Sequence, residues 1–306
     1  MLRPPAFGYR AGELCCDRVP LSSLAARFGT PLYVYSARAI RRRLRAFGAA
    51  FRGIPHTVCY SVKANPSLGV LRLVAGSGAG FDVVSGGELE RVLRAAPRAA
   101  GKIVFSGVGK TREEMELALR SGILLFNVES AGELRVLAEA AGRLGLRARV
   151  ALRVNPNLPA VTHPYISTGL ESHKFGVPLA EAERLYAGAA RDSRLRVAGV
   201  SVHIGSQISD VRSARRSPAW RHWCAGFAAR DTRFGLWMRA AVSQFPTAAR
   251  ATIFTSSSPR IRAPCAVRFA AWACGCCSNP AAPLWDPPEL CWPASSTGKR
   301  TAANAS

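Results

Sequence analysis

The sequence predicts an α/β protein whose parallel strands are arranged as a (β/α)8-type barrel, and three observations carry that prediction. From about residue 31 to residue 203, short runs of β-branched and apolar residues alternate with stretches of helical period, the pattern of repeated βαβ units. Several of the helical stretches open on capping residues: Ser67, Thr111 followed by Glu114, and Ser130 followed by Glu133,. A lysine, Lys63, stands directly after the β-run 57–62 and before Asn65-Pro66. It therefore occupies the carboxyl end of a strand, where such barrels place their chemistry.

Taken in order, residues 1–30 form an N-terminal segment with a short amphipathic helix over Leu21–Phe28, stopped by Gly29,. Residues 31–36 are expected as a strand leading into a helix over 37–51, whose Arg41, Arg42, Arg43 and Arg45 read as a solvated face,. Pro66 confines Asn65 to extended geometry, so the strand ending at Lys63 turns there and a helix follows from Ser67,. Further strands are expected over 80–85, 102–107, 123–127, 149–154 and 197–203, with a long connection over 158–177 and a helix over 179–190. That makes about six staves where a closed barrel has eight, and an unclosed barrel leaves two edges of unpaired backbone groups.

The character changes at residue 211. The remaining 96 residues hold all six tryptophans, six of the nine cysteines, 13 basic and 3 acidic residues, and keep no helical or strand period. A helix over 225–242 can be drawn, but Gly226, Gly235 and isolated charges break its face. A GC-rich gene read out of frame yields this mixture. The expectation is therefore a partial barrel over 31–210, followed over 211–306 by a disordered, frame-shifted tail that belongs to no family.

Composition excludes several functions. The net charge of +23 suggests an acidic partner, but the arginines of the tail are scattered and line no groove, so nucleic acid is not the expected partner. No apolar run reaches membrane-spanning length and residues 1–5 begin no signal peptide,. An odd count of nine cysteines fits reduced thiols and a cytoplasmic protein. Cys274-Gly275-Cys276-Cys277, with Cys265 and Cys291, lacks zinc-ribbon spacing, and His222 with Cys224 is equally thin, so no metal is expected,.

The candidate site residues follow from position. A desolvated lysine at a strand end has a lowered pKa and can form a Schiff base; the bland alternative for Lys63 is a salt bridge. Asp82 lies in a strand otherwise made of Phe and Val and needs a partner, with an ion pair to a neighbouring strand, Lys63 being one candidate, as the simplest. Glu88 is placed as a first-turn helix acid, which the dipole favours. Arg153 and His203 sit at strand ends, where a salt bridge and a rim position are the ordinary readings, while Gly205 lets Ser206 approach an anion closely. His163 and Lys174 lie in the long connection and are weaker candidates.

The segments Tyr60-Ser61-Val62-Lys63-Ala64-Asn65 and Phe81-Asp82-Val83-Val84-Ser85-Gly86-Gly87-Glu88-Leu89 resemble the signature blocks of the pyridoxal-phosphate decarboxylases with an alanine-racemase-like barrel, nearest to the branch acting on diaminopimelate. The resemblance covers about residues 20–210. It implies pyridoxal 5'-phosphate in imine linkage to Lys63, His203 stacked on its ring and Ser206 on its phosphate. Asp82, Glu88 and Arg153 would lie around it. It further implies a small amino-acid substrate, α-decarboxylation of meso-diaminopimelate to L-lysine, and a homodimer. An ornithine- or arginine-type decarboxylase, or a non-catalytic remnant, are the alternatives. The family's glycine-rich phosphate loop, its Glu-Pro-Gly-Arg and Cys-Glu-Ser blocks and a late tyrosine have no counterpart here. Cofactor capture with little turnover is the expected consequence.

Overall fold

A computed structural model describes residues 6–53, 55–155 and 175–203, together with the backbone of residues 236–240 and 251–256. The chain begins with a small antiparallel sheet of three strands, β1 (Phe7–Arg10), β2 (Glu13–Cys16) and β3 (Val19–Pro20), followed by helix α1 (Leu21–Phe28). The sheet has no counterpart in the sequence expectation, because strands this short show no alternation. Residues 31–36, expected as a strand, join no sheet. Their end is fixed instead by Ser36, which caps α2 (Ala37–Ala50) through Ala39 N and donates to the Asp17 carboxylate at 2.7 Å.

The barrel starts at β4 (His56–Ser61). It continues through α3 (Leu68–Gly76), β5 (Gly80–Val83), α4 (Gly86–Ala95), β6 (Ile103–Phe105), α5 (Arg112–Arg120), β7 (Leu125–Val128), α6 (Ala131–Arg143) and β8 (Ala148–Asn155). The two-residue β9 (Val177–Pro178), α7 (Leu179–Arg191) and β10 (Leu195–His203) follow. Six staves, β4 to β8 and β10, run parallel, each paired to the next. Thr111 and Glu114 form the expected capping box. Ser85 and Ser130 cap α4 and α6, but Glu88 and Glu133 reach one residue further back, to Val84 N and Glu129 N.

Two strands from the tail occupy the gap. β11 (Leu236–Ala240) runs parallel to β10, and β12 (Ala251–Ser256) runs antiparallel to both β11 and β4. The bare edges expected of a six-stave sheet are thus both paired, and part of the span drawn as a helix is a strand. Unpaired backbone donors and acceptors at a sheet edge accept any extended segment, whatever its side chains. The rest of the tail lies outside the described residues.

Side-chain alternation divides the staves between two cores. Tyr60, Phe81, Ile103, Phe105, Phe126, Val150, Leu152 and Val200 pack outward against Leu71, Leu89, Met115 and Leu137 of the helices, each full burial of such a side chain being worth about 1.5–3 kcal/mol. Cys59, Val104, Leu125, Ala151 and Ala198 form a second cluster, the inner face at the barrel floor. Gly80 is required beside it: a Cβ there would collide with the Lys102 carbonyl oxygen and lie 2.9 Å from Cys59 Sγ. At β10 a register shift between Val197 and Gly199 disrupts the ladder. The buried Tyr186 hydroxyl serves that point, donating to Gly199 O at 2.8 Å and accepting from Leu152 N at 3.2 Å.

Candidate active site at the carboxyl end of the barrel

Following the inner face upward from the floor cluster, the alternation of period two turns polar. It reaches Ser61 on β4, Asp82 on β5, Ser106 after β6, Asn127 on β7, Arg153 on β8, and Ser201 and His203 on β10. A barrel with an apolar floor and a polar mouth has one end suited to a charged ligand.

Lys63 stands at that mouth, on a single 3-10 turn, Val62–Ala64, that follows β4 directly. Val62 is fully buried and anchors the turn. The Tyr60 hydroxyl donates to Asn65 O at 3.3 Å, and Asn65 Oδ1 accepts from Ser67 N at 3.0 Å, where α3 begins. Burial pushes the Tyr60 phenol up to about 12, so it stays a donor. The Lys63 side chain itself is exposed and makes no hydrogen bond or ion pair with any described residue. The salt-bridge alternative therefore has no partner among the described residues.

Asp82 is buried and level with Ser61 on the neighbouring stave. It accepts a 2.5 Å hydrogen bond from Ser106 Oγ, which in turn accepts from Asn127 Nδ2 at 2.7 Å. The chain of donors runs one way and ends on the carboxylate. Asn127 is 1% exposed and its Oδ1 has no partner among the described residues. Glu88 is half-buried. Burial is the largest influence on its carboxyl and pushes it above the usual range, against the Val84 N–H bond; Asp82 raises it further and Lys63 lowers it. Glu88 is thus both the helix-end acid that its position suggested and a charge within reach of Lys63.

Arg153 Nη1 lies 2.8 and 3.0 Å from the two oxygens of Glu129, itself buried, and the guanidinium sits 5.3 Å from the Phe175 ring centroid. The ordinary reading of Arg153, an ion pair, is realised at the mouth of the barrel. His203 ends β10 on the inner face, half-buried. Ser206, His163 and Lys174 lie outside the described residues.

Behind these residues is a buried clamp that the sequence did not signal. Lys110 Nζ, with a fully buried side chain, donates to Gly107 O at 2.5 Å, Asn127 O at 2.8 Å and Glu133 Oε1 at 2.6 Å. All three protons of the ammonium are used. Burial nevertheless pushes the Glu133 carboxyl up, outweighing Lys110. The clamp ties the loops after β6 and β7 together beneath Ser106 and Asn127. Asn127 could have been found by the argument that singled out Asp82, a polar residue in an otherwise apolar strand; a lone lysine in a loop carries no such signal.

A primary amine with no hydrogen-bond or ion-pair partner among the described residues, a carboxyl group that senses its charge and an imidazole at the rim fit an aldehyde cofactor with a flat ring. Among the described residues no cluster of three or more His, Cys, Asp or Glu could hold a metal ion, and no helix is long and apolar enough to cross a membrane.

The family described as pyridoxal-dependent decarboxylase, pyridoxal binding domain, matches residues 37–250. Diaminopimelate decarboxylase of Pseudomonas fluorescens is 57% identical over 207 residues, which are 67% of this chain and 50% of that protein. The crystal structure of diaminopimelate decarboxylase from Helicobacter pylori complexed with L-lysine superposes with a TM-score of 0.61 at 42% identity, covering 63% of this chain and 49% of that one. A lysine/ornithine decarboxylase from Vibrio vulnificus, complexed with putrescine, has a TM-score of 0.56 at 23% identity over 69% of this chain and 52% of that one; it shares the fold. The chain spans about half the length of the curated relatives it matches. By the extent of that match, the chain belongs to the pyridoxal-dependent decarboxylases, through their pyridoxal binding domain.

Proposed function

We propose that the barrel binds pyridoxal 5'-phosphate at Lys63 and belongs to an enzyme that removes the α-carboxyl group of meso-diaminopimelate to give L-lysine. The observation that supports this most directly is the exposed amine of Lys63 after a buried strand, without a hydrogen-bond or ion-pair partner among the described residues and electrostatically coupled to Glu88. Bound there, the cofactor supplies an aldehyde for the amine and a conjugated ring that accepts the electron pair left when carbon dioxide departs. Lys63 would hold the cofactor through its amine. Asp82 and Glu88 place negative charge beside that nitrogen. His203 would hold the ring and Ser206 the phosphate, while Arg153, braced by Glu129, stands at the same end of the barrel. The protein is read as a cytoplasmic homodimer acting on a small amino acid.

Turnover by this chain is proposed to be low. The glutamate that pairs with the ring nitrogen, in the block Glu-Pro-Gly-Arg, has no counterpart in the sequence. The change of composition after Asp210 supports a shift of reading frame there, which the nucleotide sequence across the codons for residues 203–225 tests directly: one uninterrupted frame would end that idea.

The cofactor assignment is checked by adding pyridoxal phosphate, reducing with borohydride and mapping the labelled peptide by mass. Label on Lys63, absent from Lys63→Ala, is expected. Label at another lysine, or none, would overturn the assignment. Carbon dioxide release from meso-diaminopimelate, ornithine and arginine, measured on the chain with a restored frame, separates the substrates; the first is expected to lead.

A further inference from the structure

The end of the barrel opposite Lys63 holds a pair of arginines that this chemistry does not use. Arg149, near the start of β8, and Arg196, near the start of β10, are register partners on adjacent parallel strands. Ala151 and Ala198, two residues further along each strand, belong to the inner cluster, so the alternation puts both arginines on the inner face below it. Strands lie about 4.8 Å apart, and like charges side by side at that spacing repel.

Neither guanidinium makes a hydrogen bond or ion pair with a described residue, and Arg149 Nε is buried with no acceptor among them. Neighbouring arginines are engaged: Arg147 donates to Leu195 O at 3.1 Å, and Arg194 pairs with Asp192 at 2.8 Å. Burial first, and the Arg196 charge second, hold the Arg149 guanidinium below its usual value, with no acid opposing them. A partly buried cation beside a second cation is costly to maintain without a counter-charge. Arginine's planar fork matches oxyanions that offer several acceptor oxygens.

We propose that Arg149 and Arg196 form an oxyanion site of the phosphate class at the amino-terminal end of the barrel, the anion bridging the two guanidinium groups. Its occupant is free phosphate or the phosphate of a small phosphomonoester.

The test is calorimetric titration of inorganic phosphate, and separately of glycerol phosphate, into the full chain at low salt, with thermal unfolding measured in parallel. Saturable phosphate binding and a rise in Tm are expected, since an anion bound by the folded state stabilises it. Arg196→Gln, a change at an exposed position, should weaken binding about tenfold or more, and Arg149→Leu should abolish it. Ser206→Ala, which removes the hydroxyl assigned to the cofactor's phosphate, should leave intact the component of binding that Arg149→Leu abolishes. Binding of both anions identifies a site open to phosphomonoesters, and binding of phosphate alone a site closed around the free ion. Absence of saturable phosphate binding overturns the proposal, as does affinity unchanged in Arg196→Gln or lost in Ser206→Ala. The outcome is independent of whether pyridoxal binds, because neither arginine belongs to the mouth.

Discussion

Two arcs of the same sheet differ in what holds them. The six parallel staves from β4 to β10 bury an outer face against helices, five of which begin on a capping serine or threonine, and carry Asp82, Arg153 and His203 on their inner face, with Lys63 on the turn after β4 and Glu88 at the start of α4. The closing pair, β11 and β12, joins them through backbone ladders, and β12 runs against the direction of its neighbour β4. Ladder hydrogen bonds are open to any chain that can extend, so they fill an edge without specifying it. The buried side chains of the long arc are specific, and stability and chemistry are expected to reside there.

Paired proline substitutions test that difference at its largest. Val150→Pro in β8 removes a ladder donor and a fully buried side chain, and should cost about 5 kcal/mol or more or prevent cooperative folding. Ile253→Pro in β12 should cost less than about 1 kcal/mol in urea denaturation. Equal losses at the two positions would make the closing pair a full structural stave.

Within the long arc, Lys110→Met leaves the Glu133 carboxylate buried without its cation and releases two carbonyl groups, and is expected to cost about 3–5 kcal/mol. If the clamp matters through charge, Lys110→Met combined with Glu133→Gln recovers part of that loss; a strictly additive double variant would assign the effect to packing.

A smaller effect distinguishes burial from pairing at Glu88. Its carboxyl is raised in the folded state, so its contribution favours folding below the ordinary carboxylate range and is lost as pH rises through the raised value,. Glu88→Gln keeps the acceptor for Val84 N and removes the charge. The variant should gain on the parent between pH 4 and pH 7, by less than about 1 kcal/mol because the group is half-exposed. A gain that shrinks with rising pH would mean that Lys63, rather than burial, dominates its surroundings.

Much of the long arc was legible residue by residue. Ser67, Thr111 and Ser130 announce their helices because a side-chain oxygen that accepts a helix-end N–H works locally,. Lys63 and Asp82 stand out because a charged residue against an apolar strand has few ordinary explanations. Residues 31–36 misled, since strand composition does not supply a neighbouring strand. Ser106, Asn127 and the Lys110–Glu133 clamp were invisible for a related reason: their partners are 17 to 24 residues away along the chain, and adjacent only once β5, β6 and β7 lie side by side.

The sequence by itself determined the alternation of strands and helices, where the helices begin, and that one lysine stands at the carboxyl end of a strand, because period, capping and turn chemistry act over a few residues. Tertiary structure alone decided which polar residues face inward together, that Asp82 takes its hydrogen bond from Ser106 rather than an ion pair with Lys63, that the sheet edges are covered by β11 and β12, and that Arg149 and Arg196 lie side by side. Those facts depend on register between strands far apart in the chain, and register is set by packing the whole sheet at once.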